Sequence, residues 1–175
     1  VRYLSNNLET HLLGNHLFAN AKALVFAGLF FKGKEPDRWY QIGLNIIEKE
    51  LLEQVLDDGG NFELSPMYHS IFLEDLLDLV NLHHAFGVRI ISEVEDKIPF
   101  MLSWLKSMCH PDRGFSFFND TAFGIAPSLK DLIDYSARLN IKKISKKIKS
   151  LEYLKDSGYI RIEKENLVAI LDVSN

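Results

Sequence analysis

The chain has 175 residues, enough for one domain of ordinary size. With 47% hydrophobic and 25% charged residues it is not a disordered tail. Its net charge of -4 speaks against a protein built mainly to hold nucleic acid. A single cysteine, Cys109, excludes an internal disulfide framework and a cysteine-rich zinc site.

The chain opens on Val-Arg-Tyr, with no initiator Met, basic segment or apolar signal stretch. The longest apolar run, Leu17 to Phe31, is interrupted by Asn20 and Lys22 and falls short of the roughly 20 residues of a membrane span. The last residues, Leu171 to Asn175, follow what reads as a strand. The expectation is a piece of a longer polypeptide, with any secretion signal lost from it.

Helices in series are expected over the first 150 residues. Gly14-Asn15 opens a segment to about Phe31 whose apolar residues lie nearly all round, predicting a helix buried on most sides. After Gly33 and Pro36, a helix from about Asp37 to Leu56 carries the stripe Tyr40, Leu44, Ile47, Leu51, Val55 opposite Glu48, Lys49 and Glu53. Asp57-Asp58-Gly59-Gly60-Asn61 is a loop. A third helix starts at Ser65-Pro66, a preferred cap followed by a proline whose missing N–H costs nothing there, and ends before Gly87. A fourth runs from about Ser92 to Met108, an aperiodic aromatic loop spans Phe115 to Ala126, and a short helix follows from Ser128 to Leu139.

Lys142, Lys143, Lys146, Lys147 and Lys149 then form a basic run without acids, read as a solvated linker or helix face, with an anion-binding patch as the alternative. Tyr159-Ile160-Arg161-Ile162 alternates and Leu167 to Leu171 is continuously apolar, which predicts a hairpin. The division falls into a helical unit, residues 1–150, and the start of a β-unit, residues 151–175. Paired helices fit a bundle, a solenoid or a closed toroid; the lack of a fixed repeat weakens the solenoid.

No phosphate loop, dinucleotide fingerprint, metalloprotease helix or nucleophile elbow is present. His83-His84 point about 100° apart on a helix and read as structural, and Cys109-His110 is a lone pair at a helix end. Two places carry possible chemistry. Asn15-His16 begins the most apolar helix, where free N–H groups favour an anion such as a carboxylate; the plain alternative is that Asn15 caps the helix. Tyr68 lies in the first turn after Ser65, where the helix field favours a phenolate, and His69 follows it; both are candidates for proton transfer, against the alternative of a capped helix with a core Tyr.

Gly14-Asn15-His16-Leu17, Asn20-Ala21-Lys22-Ala23-Leu24, Trp39, Asp58 through His69 and Leu73 through Leu79, taken in order, resemble the heparinase II/III-type polysaccharide lyases. Phe118-Asn119-Asp120 with Gly124 to Pro127 resembles that family's next loop, and Asp156-Ser157-Gly158-Tyr159 its entry into the β-domain. The resemblance implies a mainly α fold: part of an α/α toroid of antiparallel helix pairs, followed by the first strands of an antiparallel β-sandwich. It also implies a periplasmic or secreted enzyme. A further histidine and often a zinc site belong to parts of the β-domain beyond this sequence, so neither a metal nor another cofactor is expected within it.

Such enzymes cleave uronate-containing acidic polysaccharides by β-elimination. By resemblance, Asn15 neutralises the uronate carboxylate. Tyr68 acts as base, as acid to the leaving O4, or as both. His16 neutralises charge or serves as base for the opposite C5 epimer. Glu63, His69, Asn119 and Asp120 are expected to touch substrate. Asn61 departs from the family pattern, where histidine is frequent. The expected partners are the acidic polysaccharide and the rest of the same polypeptide. The competing reading is a non-catalytic glycan-binding or scaffold domain derived from a lyase.

Overall fold

The computed structural model describes residues 1–12, 14–88, 92–142, 150–165 and 167–174. Its helices are α1 (Arg2–Asn6), α2 (Asn15–Phe30), α3 (Lys34–Gln54), α4 (Pro66–Phe86), α5 (Ser92–Ser107) and α6 (Leu129–Arg138). Strands β1 (Leu151–Leu154), β2 (Tyr159–Lys164) and β3 (Leu167–Asp172) follow. The short α1 and β1 are additions to the elements expected from the sequence, and the lysines from 143 to 149 lie outside the described residues.

Helices α2 and α3 form a tight antiparallel hairpin. Gly28 faces Pro36 and Tyr40, while Gly43 faces Ala21 and Val25. A Cβ on Gly43 would lie 2.7 Å from the Ala21 carbonyl oxygen, so only glycine permits this backbone approach. The buried side of α3 runs through Trp39, Gly43, Ile47, Glu50, Leu51 and Gln54. It thus includes two polar residues that hydrophobic periodicity does not pick out.

The main core gathers Phe18, Ile47, Leu51, Phe72, Leu76, Ile98 and Trp104 from α2, α3, α4 and α5. Phe18 meets Phe72 at 4.4 Å between ring centroids. Burying each of these large side chains contributes about 1.5–3 kcal/mol. Helix α2 is less buried than its composition predicts. Ala19, Ala23, Phe26 and Phe30 form an exposed stripe at helical spacing, touched at its edges by Lys22 over the Phe26 ring and by Phe31 edge-on to Phe30. The most enclosed helix is α4, with ten buried positions. It ends as expected at Gly87, whose φ of 62° is left-handed and whose N–H bonds the His83 carbonyl at 2.9 Å.

The sheet is antiparallel in the order β1-β2-β3, with Leu151 opposite Ile162, Leu154 opposite Tyr159 and Tyr159 opposite Asp172. One face turns Glu152, Leu154, Tyr159 and Arg161 inward; the other exposes Leu151, Tyr153, Ile162 and Leu171. Arg161 fastens the sheet to α5 by donating to the carbonyls of Ser107 (2.9 Å) and Cys109 (2.6 Å).

Candidate active site

Helix α2 begins without a cap of its own. Gly14 is the N-cap residue, at φ 84°, and no side chain caps the helix locally. The Asn15 N–H instead donates to Glu63 Oε1 at 3.1 Å, across 48 residues of sequence. The φ of 84° favours glycine, and a Cβ there would lie 2.2 Å from the same carboxylate oxygen, displacing the Glu63 side chain that holds the Asn15 N–H. From behind, Gln54 Nε2 donates to the Gly14 carbonyl at 3.0 Å and to Glu50 at 2.8 Å, which explains the polar end of the buried face of α3.

This arrangement frees the Asn15 side chain. As the first residue inside the helix it does not act as the cap, and its amide makes no hydrogen bond to a described residue. His16 is exposed, with Nδ1 3.7 Å from Glu9. Glu9 is also held by Asn20, whose amide donates to Glu9 Oε2 at 2.8 Å and accepts the Glu9 N–H at 3.1 Å. Lys22 reaches Asp75 at 2.6 Å and Asp78 on α4. Asn20 and Lys22, prominent in the sequence pattern, therefore brace helices and segments around the site.

Helix α4 begins conventionally. Ser65 Oγ accepts the Tyr68 N–H at 3.4 Å and meets Thr121 Oγ1 at 3.0 Å, and Pro66 opens the first turn. Tyr68 is half-buried, and its hydroxyl has no hydrogen-bond partner among the described residues. Glu63, five residues ahead of Tyr68, links this helix start to that of α2. Burial pushes the Glu63 carboxyl up from its ordinary value, the Asn15 N–H opposes that, nearby Asp120 raises it further, and His16 lowers it. Asn15, His16, Glu63 and Asp120 thus share one electrostatic neighbourhood.

His69 does not join them. Its side chain is fully buried, turned inward beside Tyr68, with both ring nitrogens occupied. Nδ1 accepts the Asn61 N–H at 3.1 Å, Nε2 lies 3.0 Å from the Met101 carbonyl, and the ring stacks on Trp104 at 4.5 Å. The expectation that His69 touches substrate is corrected: the ring is buried between Trp104 and the backbone of Asn61 and Met101, while Tyr68, one residue earlier on the helix, is half-buried. Asn119 is exposed, but its amide donates to the Leu64 carbonyl at 2.9 Å, locking the two loops together. Tyr159 donates to that carbonyl too, at 2.8 Å. Asp120 stays exposed.

Asp58 is an anchor that sequence reading assigned only to a loop. Its Oδ2 accepts from the Asp156 N–H (3.0 Å), the Ser157 N–H (2.7 Å) and the Ser157 hydroxyl (2.8 Å). Two motifs far apart in sequence, Asp58-Gly59-Gly60 and Asp156-Ser157-Gly158, are thereby one junction. The signal was present as an acid beside paired glycines, without its partner. Trp104 completes the junction by donating to Ser157 Oγ at 2.8 Å.

A groove of ≈ 530 Å³ lined by Lys106, His110, Arg113 and Arg161 lies elsewhere, as does another of ≈ 700 Å³ along Ala23, Phe26 and Phe30. Neither includes Asn15 or Tyr68. Burial pushes the Cys109 thiol up to about 12, leaving it unreactive as a thiolate. Among the described residues no group of three or more His, Cys, Asp or Glu is arranged for a metal ion, and no helix is long and apolar enough to cross a membrane.

The sequence profile of the family described as heparinase II/III N-terminus matches residues 1–141. A heparin-sulfate lyase of Bacteroides stercoris is 34% identical over 110 residues, covering 61% of this chain and 16% of the relative. One from Pedobacter heparinus is 34% identical over 123 residues, covering 65% of this chain and 18% of the relative. The chain therefore spans less than a fifth of the length of these curated relatives. The crystal structure of heparinase III superposes with a TM-score of 0.79 at 17% identity, covering 98% of this chain and 30% of that one. Heparan sulfate lyase HepC from Pedobacter heparinus superposes with a TM-score of 0.67 at 21% identity, over 97% and 29% respectively. At these identities the superpositions establish a shared fold.

Proposed function

The chain belongs to the heparinase II/III family, and on that premise we propose that it carries the eliminating groups of a polysaccharide lyase acting on a uronate-containing acidic glycan. The whole protein is read as a periplasmic or secreted enzyme in which α1 to α6 contribute to an α/α toroid and β1 to β3 begin a β-sandwich. Its relatives carry the name heparin-sulfate lyase, so a glycan of that kind is the first substrate to test.

In β-elimination a base removes the C5 proton beside the uronate carboxylate. The freed electron pair forms the C4–C5 double bond, the C4–O4 bond breaks, and the leaving oxygen takes up a proton. The carboxylate must be neutralised as negative charge spreads into it. In this reading the Asn15 amide donates to the carboxylate, with a hydrogen bond that strengthens as the enolate-like intermediate forms. The Tyr68 hydroxyl exchanges the proton at C5, at O4 or at both, and His16 either neutralises charge or serves the opposite C5 epimer. Glu63 holds Asn15 by its backbone, and Asp120 lies at the rim. No metal or other cofactor is invoked for these residues.

One observation carries the proposal. The Asn15 amide and the Tyr68 hydroxyl are both free of hydrogen bonds to described residues, while the backbones that bear them are tied down by Glu63 and Ser65. Fixed backbones with uncommitted polar ends are what differential transition-state binding requires. The test is formation of unsaturated uronate by the intact protein on a panel of uronate polysaccharides, with Asn15→Ala and Tyr68→Phe as controls. Binding without turnover across the panel would favour the non-catalytic glycan-binding reading.

A further inference from the structure

The loop from Asp58 to Leu64 carries Glu63, and through it the backbone of Asn15; it also leads directly into Tyr68. What fixes this loop from below is a buried imidazole. The Met101 carbonyl only accepts, so the His69 Nε2 facing it at 3.0 Å bears the hydrogen. Nδ1 is then left with its lone pair, which accepts the Asn61 N–H at 3.1 Å. Asn61 in turn accepts the Glu63 N–H on its side-chain oxygen at 3.0 Å. The chain of contacts runs from Met101 on α5 through His69 and Asn61 to Glu63, and ends on the Asn15 N–H. The Trp104 ring stacked on His69 fixes the imidazole plane and donates to Ser157, itself bonded to Asp58 at the other end of the loop.

We propose that His69 is a positioning residue, whose neutral Nε2–H imidazole sets the loop of residues 58 to 64 and thereby the separation of Asn15 from Tyr68. The role rests on the lyase reading of those two groups. His69 does not contact substrate, because its ring is fully buried. Its neighbour in sequence, Tyr68, is half-buried on the same turn, so one dipeptide supplies both the reacting hydroxyl and the anchor of the loop beside it.

The experiment compares His69→Phe, His69→Asn and His69→Gln in the intact protein, reading kcat and KM separately together with backbone hydrogen exchange over residues 58 to 64. Phe keeps a ring against Trp104 and loses both hydrogen bonds. Expected is a loss of kcat on the order of 10²-fold with KM within about twofold, since misplacement of a reacting group by about 1 Å costs that much. Exchange across the loop should accelerate by at least about tenfold. Asn places an acceptor near the Nδ1 position and should restore loop protection better than Gln, which reaches only toward Met101. A rise in KM with kcat unchanged, or exchange in His69→Phe equal to that of the unaltered protein, would overturn the positioning role. The unaltered protein supplies an independent check: an Asn61 amide exchanging as fast as an exposed loop amide overturns it without any variant. If the unaltered protein eliminates no uronate polysaccharide, the lyase reading falls, and the exchange data alone decide whether His69 sets the loop.

Discussion

The two helix starts that frame the candidate site are built on opposite plans. Helix α4 carries its own instructions: Ser65 caps it, Pro66 opens it, and both are adjacent in sequence. Helix α2 has no local cap; its first N–H is satisfied by Glu63, 48 residues away. The local plan makes α4 robust and leaves Tyr68 at the end of a self-sufficient turn. The remote plan spares Asn15 from capping duty and makes its position depend on the loop that leads to Tyr68. The amide and the hydroxyl are thus held by one loop, although one helix start needs that loop and the other does not.

The strongest way to break this comparison is Tyr68→Phe in the intact protein. The ring still packs and Ser65 still caps the turn, so melting should be little changed while kcat falls by about 10²–10⁴-fold. Activity within twofold of the unaltered protein removes Tyr68 from the chemistry.

Asn15→Ala comes next. Loss of a transition-state donor should cost about 2.7–4 kcal/mol in kcat. Because Gly14 is the N-cap and Asn15 makes no side-chain bond to a described residue, Tm should hold. A stability loss of about 0.5–2 kcal/mol with full turnover per folded molecule would restore Asn15 to the role of cap.

The pH dependence of stability sharpens the contrast. Burial lowers the His69 pKa from 6.5 to about 4, against the smaller opposing effects of the Met101 carbonyl and Asp58. The unfolded chain therefore binds this proton first. The neutral imidazole contributes fully above pH 6.5, and its contribution is lost progressively as pH falls toward 4, on the order of 3 kcal/mol in all. Denaturant titrations at pH 7 and pH 4.5 should show this loss in the unaltered protein and a smaller one in His69→Phe. Equal losses would show that His69 is not the group titrating.

The smallest effect is expected at the locally encoded start. Ser65→Ala should destabilise by about 0.5–2 kcal/mol, read by denaturant unfolding, with kcat reduced less than in Asn15→Ala. A larger loss of activity there would mean that the α4 start also relies on its Thr121 contact to hold the site.

The same contrast explains what was legible in the sequence. Features written within a few residues came through: the Ser65-Pro66 start, the Gly87 stop, the loop after α3 and the alternation of β2. The Gly14–Glu63 and Asp58–Ser157 contacts did not, because neither partner announces the other across such separations. The inward turn of His69 was illegible for a related reason. Adjacent residues on a helix differ by about 100°, and nothing local says which one the tertiary structure will bury. Helix α2 read as enclosed because apolar residues surround it, whereas burial depends on what packs against each face. Strand β1 escaped notice beside the lysine run, being only four residues long.

The three hydrogen bonds on Asp58 Oδ2 also bear on how the molecule comes to be formed. The contact with Ser157 closes 99 residues of chain. Contacts of such separation carry a large loop-closure entropy and form only once the intervening chain is organised. The turn between β1 and β2 is therefore expected to dock after the local helical contacts have formed, and a Ser157 amide protected as early in refolding as those of α4 would overturn that order. On that order, weakening the Asp58–Ser157 contact should delay protection of the loop of residues 58 to 64 during refolding more than it delays the gain of helical signal.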